Sequence, residues 1–342
     1  MTSFAEQVSR IAYDEHHLTV SVLVPTYRRP QDLLRCIRAI AAQERVPDEV
    51  IVVVRDIDAE TWMMVDRIRG EVLPSLRTIR VDVPGQVQAL NAGLALAMGD
   101  IIAITDDDAE PHADWVARIV AHFERNPDVA GVGGRDFLHV DNVLQQGQER
   151  IVGRVPYVGR HRGNHHLGYG PAREVDVLKG VNGSYRTVAL REIGFDTRLR
   201  GTGAQVHWEI SLCLALKRRG WKLLYDPAVA VNHYLAPRFD EDQRTGFNSL
   251  ALRNAVFNET FIRIEYLSPV RRVFFMAWGI LLGTRASPGF VQWLRFLPSQ
   301  RGLSGDKFLA ALLGRRDAWS AVRQMVRENE TAVQPRSGKF MG

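Results

Sequence analysis

The chain has 342 residues, 46% of them apolar, a formal net charge of +5 and two cysteines. The apolar share excludes global disorder, and two cysteines exclude a disulfide scaffold and fit a reduced compartment. The length fits one α/β domain of about 230–250 residues plus an appendage.

Taken in chain order, "MTSFAEQVSRIAYDEHH" carries acids and no apolar core segment, so it does not read as a signal peptide. "LTVSVLVPTYRRP" predicts a buried strand ending at Pro25. "PQDLLRCIRAIAAQ" has helical spacing, with Pro30 suited to a first turn. "DEVIVVVRD" predicts a second strand, apolar through Val54 as at the centre of a parallel sheet. "AETWMMVDRIRGEV" predicts a helix, "RTIRVDVP" a strand, "VQALNAGLALAMG" a helix and "DIIAITD" a fourth strand. This alternation predicts a doubly wound, mostly parallel sheet. Ligands then bind beyond the carboxyl ends of the strands, here "PTYRR", "RDID" and "TDDD".

The second half is less regular. "WVARIVAHFERN" predicts a helix and "VAGVGGRDF" a strand and turn. Residues 150–175, rich in Gly, Arg and His, show no period and predict a long loop. "WEISLCLALKRRG" predicts a helix ending at Gly220 and "KLLYDPAVAVNH" a strand; from about Phe239 the pattern is helical. The longest apolar run, Val273–Gly283, has 11 residues, against the roughly 20 of a spanning helix. It suits a membrane interface or a buried helix. The positive excess gathers late, in "SPVRRVFF", "RFLPSQRG" and "LLGRRDAW". Basic residues beside aromatics suggest an anionic surface, and a solvated positive face is the plainer alternative.

Asp106, Asp107 and Asp108 follow the fourth strand directly. Carboxylates at i and i+2 past a strand point to one side of the rim and can reach a hard cation such as Mg2+ or Mn2+. The same acids before "EPHADW" also read as a helix start.

The segment from about Thr19 to His233 resembles the family 2 glycosyltransferases. The resemblance rests on ordered motifs: "VSVLVPTYRRPQDLLRCI", "EVIVVVRD", "LNAGLALAMGDIIAITDDDAEP", "VNGSYRTVALREIGFD", "WEISLCLALKRRGWKLLYDP" and "VAVNH". It implies a GT-A fold and an enzyme that moves a sugar from a nucleotide diphosphate to an acceptor, with inversion. The implied layout is an N-terminal extension (1–17), a catalytic domain (18–238) with a donor-binding half (18–135) and an acceptor half (136–238), and a helical region (239–342) meeting a membrane surface or a second copy.

The resemblance also implies roles. Pro25, Thr26, Tyr27 and Arg28 line the base and ribose. Asp56 holds the base, although Arg55-Asp56 stands where the family has an acidic pair. Asn91 faces the nucleotide, Asp106 the ribose, and Asp107 orients the loop. Asp108 binds a metal whose shell His233 completes. Glu209 is the general base, although Trp208-Glu209 replaces the family's Glu-Asp pair. Arg160, Arg162 and Arg238 are cations for the diphosphate. His165 and His166 of "GNHHLG" suit either a loop that closes over the donor or a mobile surface loop, and Asn182 and Gly183 are further candidates for the acceptor or diphosphate side.

The implied partners are a nucleotide-sugar donor, UDP- or dTDP-type, and a saccharide or lipid-linked acceptor in cell-surface polysaccharide or glycoconjugate synthesis. The implied location is cytoplasmic, peripheral on the inner face of a membrane. A sugar nucleotidyltransferase would need a glycine-rich loop where this chain has "VPTYRRP". A non-catalytic scaffold would not need Asp106, Asp108 and Glu209 together. No nucleic-acid-binding module is present in the sequence.

Overall fold

The structure, a computed structural model, describes residues 17–70, 72–73, 75–156, 161–244 and 246–333. All but the last residue of the expected N-terminal extension lies outside them, as does Arg160.

The first half alternates as its periodicity predicts: β1 (Val20–Thr26), α1 (Pro30–Ala41), β2 (Glu49–Arg55), α2 (Ala59–Ile68), β3 (Leu76–Val81), α3 (Gln86–Leu96) and β4 (Ile101–Ile104). In α1, Leu33, Cys36, Ile37 and Ile40 form one buried stripe, and Pro30 opens the first turn, where no amide donor is needed. Helix α2 is capped by Asp58, whose carboxylate accepts from the Thr61 amide. The second half supplies β5 (Ala109–Pro111), α4 (Trp115–Arg125), β6 (Val129–Val140), β7 (Val143–Leu144), β8 (Arg173–Glu174), β9 (Gly183–Arg186), α5 (Thr187–Ile193), α6 (Trp208–Arg218) and β10 (Lys222–Tyr234). Four helices follow: α7 (Ser249–Tyr266), α8 (Pro269–Leu281), α9 (Phe290–Gln300) and α10 (Gly302–Val333).

The ten strands form one sheet in the order β3-β2-β1-β4-β9-β6-β10-β5, with β7 on β6 and β8 on β10. β1 pairs in parallel with β2 and β4, β2 with β3, and β6 with β10. β9 runs antiparallel between β4 and β6. Side-chain alternation sends the strands' apolar residues to both faces. Val22, Val24 and Val52 meet α1 and α4 through Ile37 and Trp115. Leu23, Ile51 and Val53 share the opposite core with Leu90 of α3, Leu216 of α6, Phe261 of α7 and Ala318 of α10. Two of the C-terminal helices are thus part of the same core as the sheet.

The aperiodic stretch after β7 is held by its own backbone. Gly153 donates to the Gly163 carbonyl, Arg154 and Arg162 exchange hydrogen bonds, and Glu149 donates to the Leu167 carbonyl. No helix among the described residues is long and apolar enough to cross a membrane.

Candidate active site

The parallel strands β1, β2 and β4 end at one rim, and a cleft of about 770 Å³ opens along it. Pro25 and Thr26 come from β1 and Tyr27 follows it, Arg55 comes from β2, and Asp106, Asp107 and Asp108 follow β4; Thr202–Ala204, Arg238 and Arg244 face them. The guanidinium of Arg55 lies over the Tyr27 ring, 4.7 Å from its centroid. The far wall is tied to α3. Gln205 accepts from the Val87 amide at 2.8 Å and donates to the Leu199 carbonyl at 3.0 Å. Gly85 makes this closure fit: its φ is +116°, and a Cβ there would stand 2.4 Å from Gln205 Oε1.

The three acids have different surroundings. Asp107 is fully engaged, accepting from Thr26 Oγ1 and Arg29 Nη1, each at 2.7 Å. Arg29 also reaches Asp108 at 3.4 Å and donates to the Pro237 carbonyl. Asp108 accepts from the Ala236 amide through Oδ2, but its Oδ1 is buried and has no hydrogen-bond partner among the described residues. His233 Nε2 stands 3.4 Å from that oxygen, and its Nδ1 is 3.5 Å from Asp136. One donor atom each from Asp106, Asp108 and His233 lies within 4.8 Å of the others. An orphaned carboxylate oxygen beside a second carboxylate and an imidazole fits a divalent cation such as Mg2+ or Mn2+.

Electrostatics favour this pocket for positive charge. Burial pushes the Asp108 carboxyl up, yet His233, Arg29 and the Ala236 amide hold it at about 2. Burial lowers His233, but Asp108 and Asp136 raise it to about 9. Without a metal, an imidazolium balances the carboxylates.

Asp136 on β6 has no exposed surface and accepts from Lys179 Nζ. Lys179 reaches a second cavity of about 410 Å³, which Val155, Arg162, His165 and Glu209 also line. Glu209 is in the first turn of α6. Its pKa is raised by burial, and the positive charge of Lys179 partly offsets this. A polar chain therefore runs from Glu209's cavity through Lys179, Asp136 and His233 to Asp108.

The structure brings together Pro25, Thr26, Tyr27, Asp106, Asp107, Asp108 and Arg238 in the cleft, with His233 beneath and Glu209 and Arg162 in the adjoining cavity. The other expected residues stand as follows. Arg28 is not among the cleft residues; its backbone has φ +59°, its amide donates to Asp58, and its guanidinium lies over Tyr27 and Phe239. Asp56 accepts from its neighbour Ile57's amide, and Arg55 takes the place in the cleft. Asn91 exchanges two hydrogen bonds with the Phe195 backbone and is not among the residues lining the cleft. Asn182 is buried, bonded to Trp115 and to two backbone carbonyls, and Gly183 pairs inside the sheet. His165 is buried against the Val177 carbonyl, and burial lowers its pKa to about 4. His166 is half-buried, and its carbonyl accepts from Arg135.

Sequence reasoning passed over Arg29, Arg55, Asp136 and Lys179. The available signals were a second arginine beside "PTYR" and a lone aspartate in the buried run "VAGVGGRDF".

A mostly parallel sheet whose carboxyl rim carries a cleft and a metal-type acid cluster is a place where α/β folds bind ligands. Residues 21–185 match the family model described as "Glycosyl transferase family 2". That part of the chain is thus similar to a family 2 glycosyltransferase domain. A "Glucosyl-dolichyl phosphate glucuronosyltransferase" of Haloferax volcanii is 28% identical over 247 residues, covering 69% of this chain and 74% of the relative. The "Amylovoran biosynthesis glycosyltransferase AmsB" of Erwinia amylovora is 23% identical, with 66% and 73% covered. A "Dolichyl N-acetyl-alpha-D-glucosaminyl phosphate 3-beta-D-2,3-diacetamido-2,3-dideoxy-beta-D-glucuronosyltransferase" of Methanococcus voltae is 21% identical, with 77% and 82% covered. The fold is GT-A. The mannosyltransferase PcManGT of Pyrobaculum calidifontis, solved with GDP-Man and Mn2+, superposes with a TM-score of 0.55 at 16% identity, covering 91% of this chain and 92% of that one.

Proposed function

We propose that the protein is an inverting glycosyltransferase that moves a sugar from a nucleotide-diphosphate donor to an acceptor hydroxyl. The observation that carries this reading is the Asp106, Asp108 and His233 cluster at the cleft, with the orphaned Asp108 oxygen. These three residues would hold a divalent cation, whose chemistry there is Lewis-acid stabilisation of the leaving diphosphate. Mn2+ in the solved PcManGT complex supports that ion.

Pro25, Thr26 and Tyr27 bind the base and ribose, and Asp106 takes the ribose side. Arg238 and Arg244, which line the same cleft, face the diphosphate. Glu209 accepts the proton of the acceptor hydroxyl. The oxygen then bonds to the anomeric carbon as the bond to the diphosphate breaks on the opposite face, and the electron pair leaves with the diphosphate. Residues 18–238 form the catalytic unit in this reading, and residues 239–342 its helical extension. The names of the Haloferax and Methanococcus relatives support a lipid-linked saccharide acceptor; UDP or dTDP is the proposed nucleotide.

The test is a screen of UDP-, dTDP- and GDP-sugars with Mn2+, read as donor hydrolysis and thermal shift. Glu209→Gln is expected to lower transfer by roughly 10²–10⁴-fold with donor binding unchanged. Wild-type transfer by Glu209→Gln overturns the assignment of the base, and full activity in EDTA overturns the metal.

A further inference from the structure

Helices α8 and α9 form a hairpin with two unlike faces. The inner face is fixed. Arg315 of α10 is buried and donates to the Ser287 and Pro288 carbonyls in the turn between the helices. Trp293 stacks on Phe308, and Phe275 is buried beneath the guanidinium of Arg263. The outer face is apolar and open: Phe274 is 67% exposed, Val273 61% and Leu281 58%, and α9 buries no residue. Large apolar side chains exposed together along one hairpin mark an interaction site.

Charge identifies the occupant. Residues 266–305 contain five arginines and no Asp, Glu or Lys. A second copy meeting this face through a two-fold axis would bring arginine onto arginine with no acid of the same segment to pair. A nucleic acid would use the arginines but leave Phe274, Val273 and Leu281 in water. An anionic lipid bilayer matches both features, with phosphates for the guanidinium groups and acyl-chain boundary for the rings and aliphatic side chains.

We infer that the α8–α9 hairpin docks the protein on an anionic membrane surface, its outer face entering the headgroup layer. The hairpin also adjoins the cavity of Glu209. Arg263, lying over Phe275, donates to the Pro156 carbonyl at 2.7 Å, and the preceding Val155 lines that cavity. Docking therefore sets the cavity beside the bilayer. That this delivers a lipid-linked acceptor rests on the transferase reading; the docking does not.

The test is flotation of the full chain with vesicles of phosphatidylcholine containing about one third phosphatidylglycerol, against phosphatidylcholine alone, at low and high salt. Binding is expected on the anionic vesicles and to weaken with salt. Arg285→Gln with Arg295→Gln is expected to lower partitioning by about fivefold per arginine. Phe274→Ser is expected to lower it by roughly tenfold or more, with an unchanged Tm because that ring is exposed. Metal-dependent donor hydrolysis, read in parallel, is expected to be unchanged in these variants. No flotation of the wild type overturns the docking, as does a dimer in solution that Phe274→Ser dissociates. Flotation without any donor turnover leaves the docking standing and overturns the transferase reading; turnover without flotation does the reverse.

Discussion

Asn182 has a purely structural set of bonds. It accepts from Trp115 Nε1 at 2.9 Å and donates to the Val229 carbonyl at 2.8 Å, with no exposed surface. Asn182→Ala would leave the buried indole N–H unpaired, a cost of about 1–3 kcal/mol. The expected result is a Tm lower by a few degrees with an unchanged donor KM, measured by calorimetry and steady-state kinetics. Glu209 makes the opposite kind of prediction. A general base acts only when deprotonated, and burial raises this one above the ordinary carboxylate range. Its kcat is therefore expected to fall as pH falls through that raised value and to level off above it. Lys179 lowers the pKa of Glu209, so Lys179→Gln should move the acidic limb to higher pH. A limb that stays in place in Lys179→Gln would count against the coupling. At this scale the acid triplet was legible because three carboxylates after a strand serve no packing purpose. Their division of labour was not legible. It depends on Thr26 and Arg29, which lie about eighty residues away in sequence and meet Asp107 only through β1–β4 pairing.

The loop between α5 and α6 shapes the cleft, and α7 holds it. Asn258 accepts from the Arg200 amide at 2.8 Å and donates to the Arg200 and Val206 carbonyls. Between those anchors lie Thr202–Ala204, which line the cleft, and immediately after them His207, at φ +79°, leads into Glu209. Asn258→Ala removes three hydrogen bonds of about 1 kcal/mol each. The donor KM is expected to rise by roughly fivefold or more, since one such bond already corresponds to that factor, and kcat to fall with it. An unchanged KM with only a lower Tm would mean that the loop keeps its shape without α7. The elements themselves were legible in unequal measure. Long apolar runs such as "VIVVV" can only be central strands, and the α1 stripe can only be a helix face. Strands β5, β8 and β9 span two to four residues, too few for a period to register. Their existence follows from the neighbours that pair with them.

Charge is distributed unevenly over the whole molecule. The sequence holds 44 Lys and Arg and 39 Asp and Glu. Setting aside the five arginines of residues 266–305 leaves 39 of each sign. The remainder sums to zero formal charge and so adds no net attraction for an anionic donor at a distance, and donor capture relies on short-range groups such as Arg238 and Arg244. Salt screens long-range attraction more than such near contacts. Between about 0.05 and about 0.5 M salt, donor kcat/KM is thus expected to change by less than about twofold while vesicle binding falls steeply. A donor kcat/KM that drops in parallel with vesicle binding would contradict this separation.

The hairpin's isolated positive pole has a rotational consequence. A molecule whose net charge of +5 sits in one segment is drawn toward an anionic sheet and also feels a torque that turns that segment to face it. Tumbling near a membrane would then be biased before any contact forms. The first collision would tend to be made by Phe274 and its neighbours, with the Pro156 edge of the Glu209 cavity close behind.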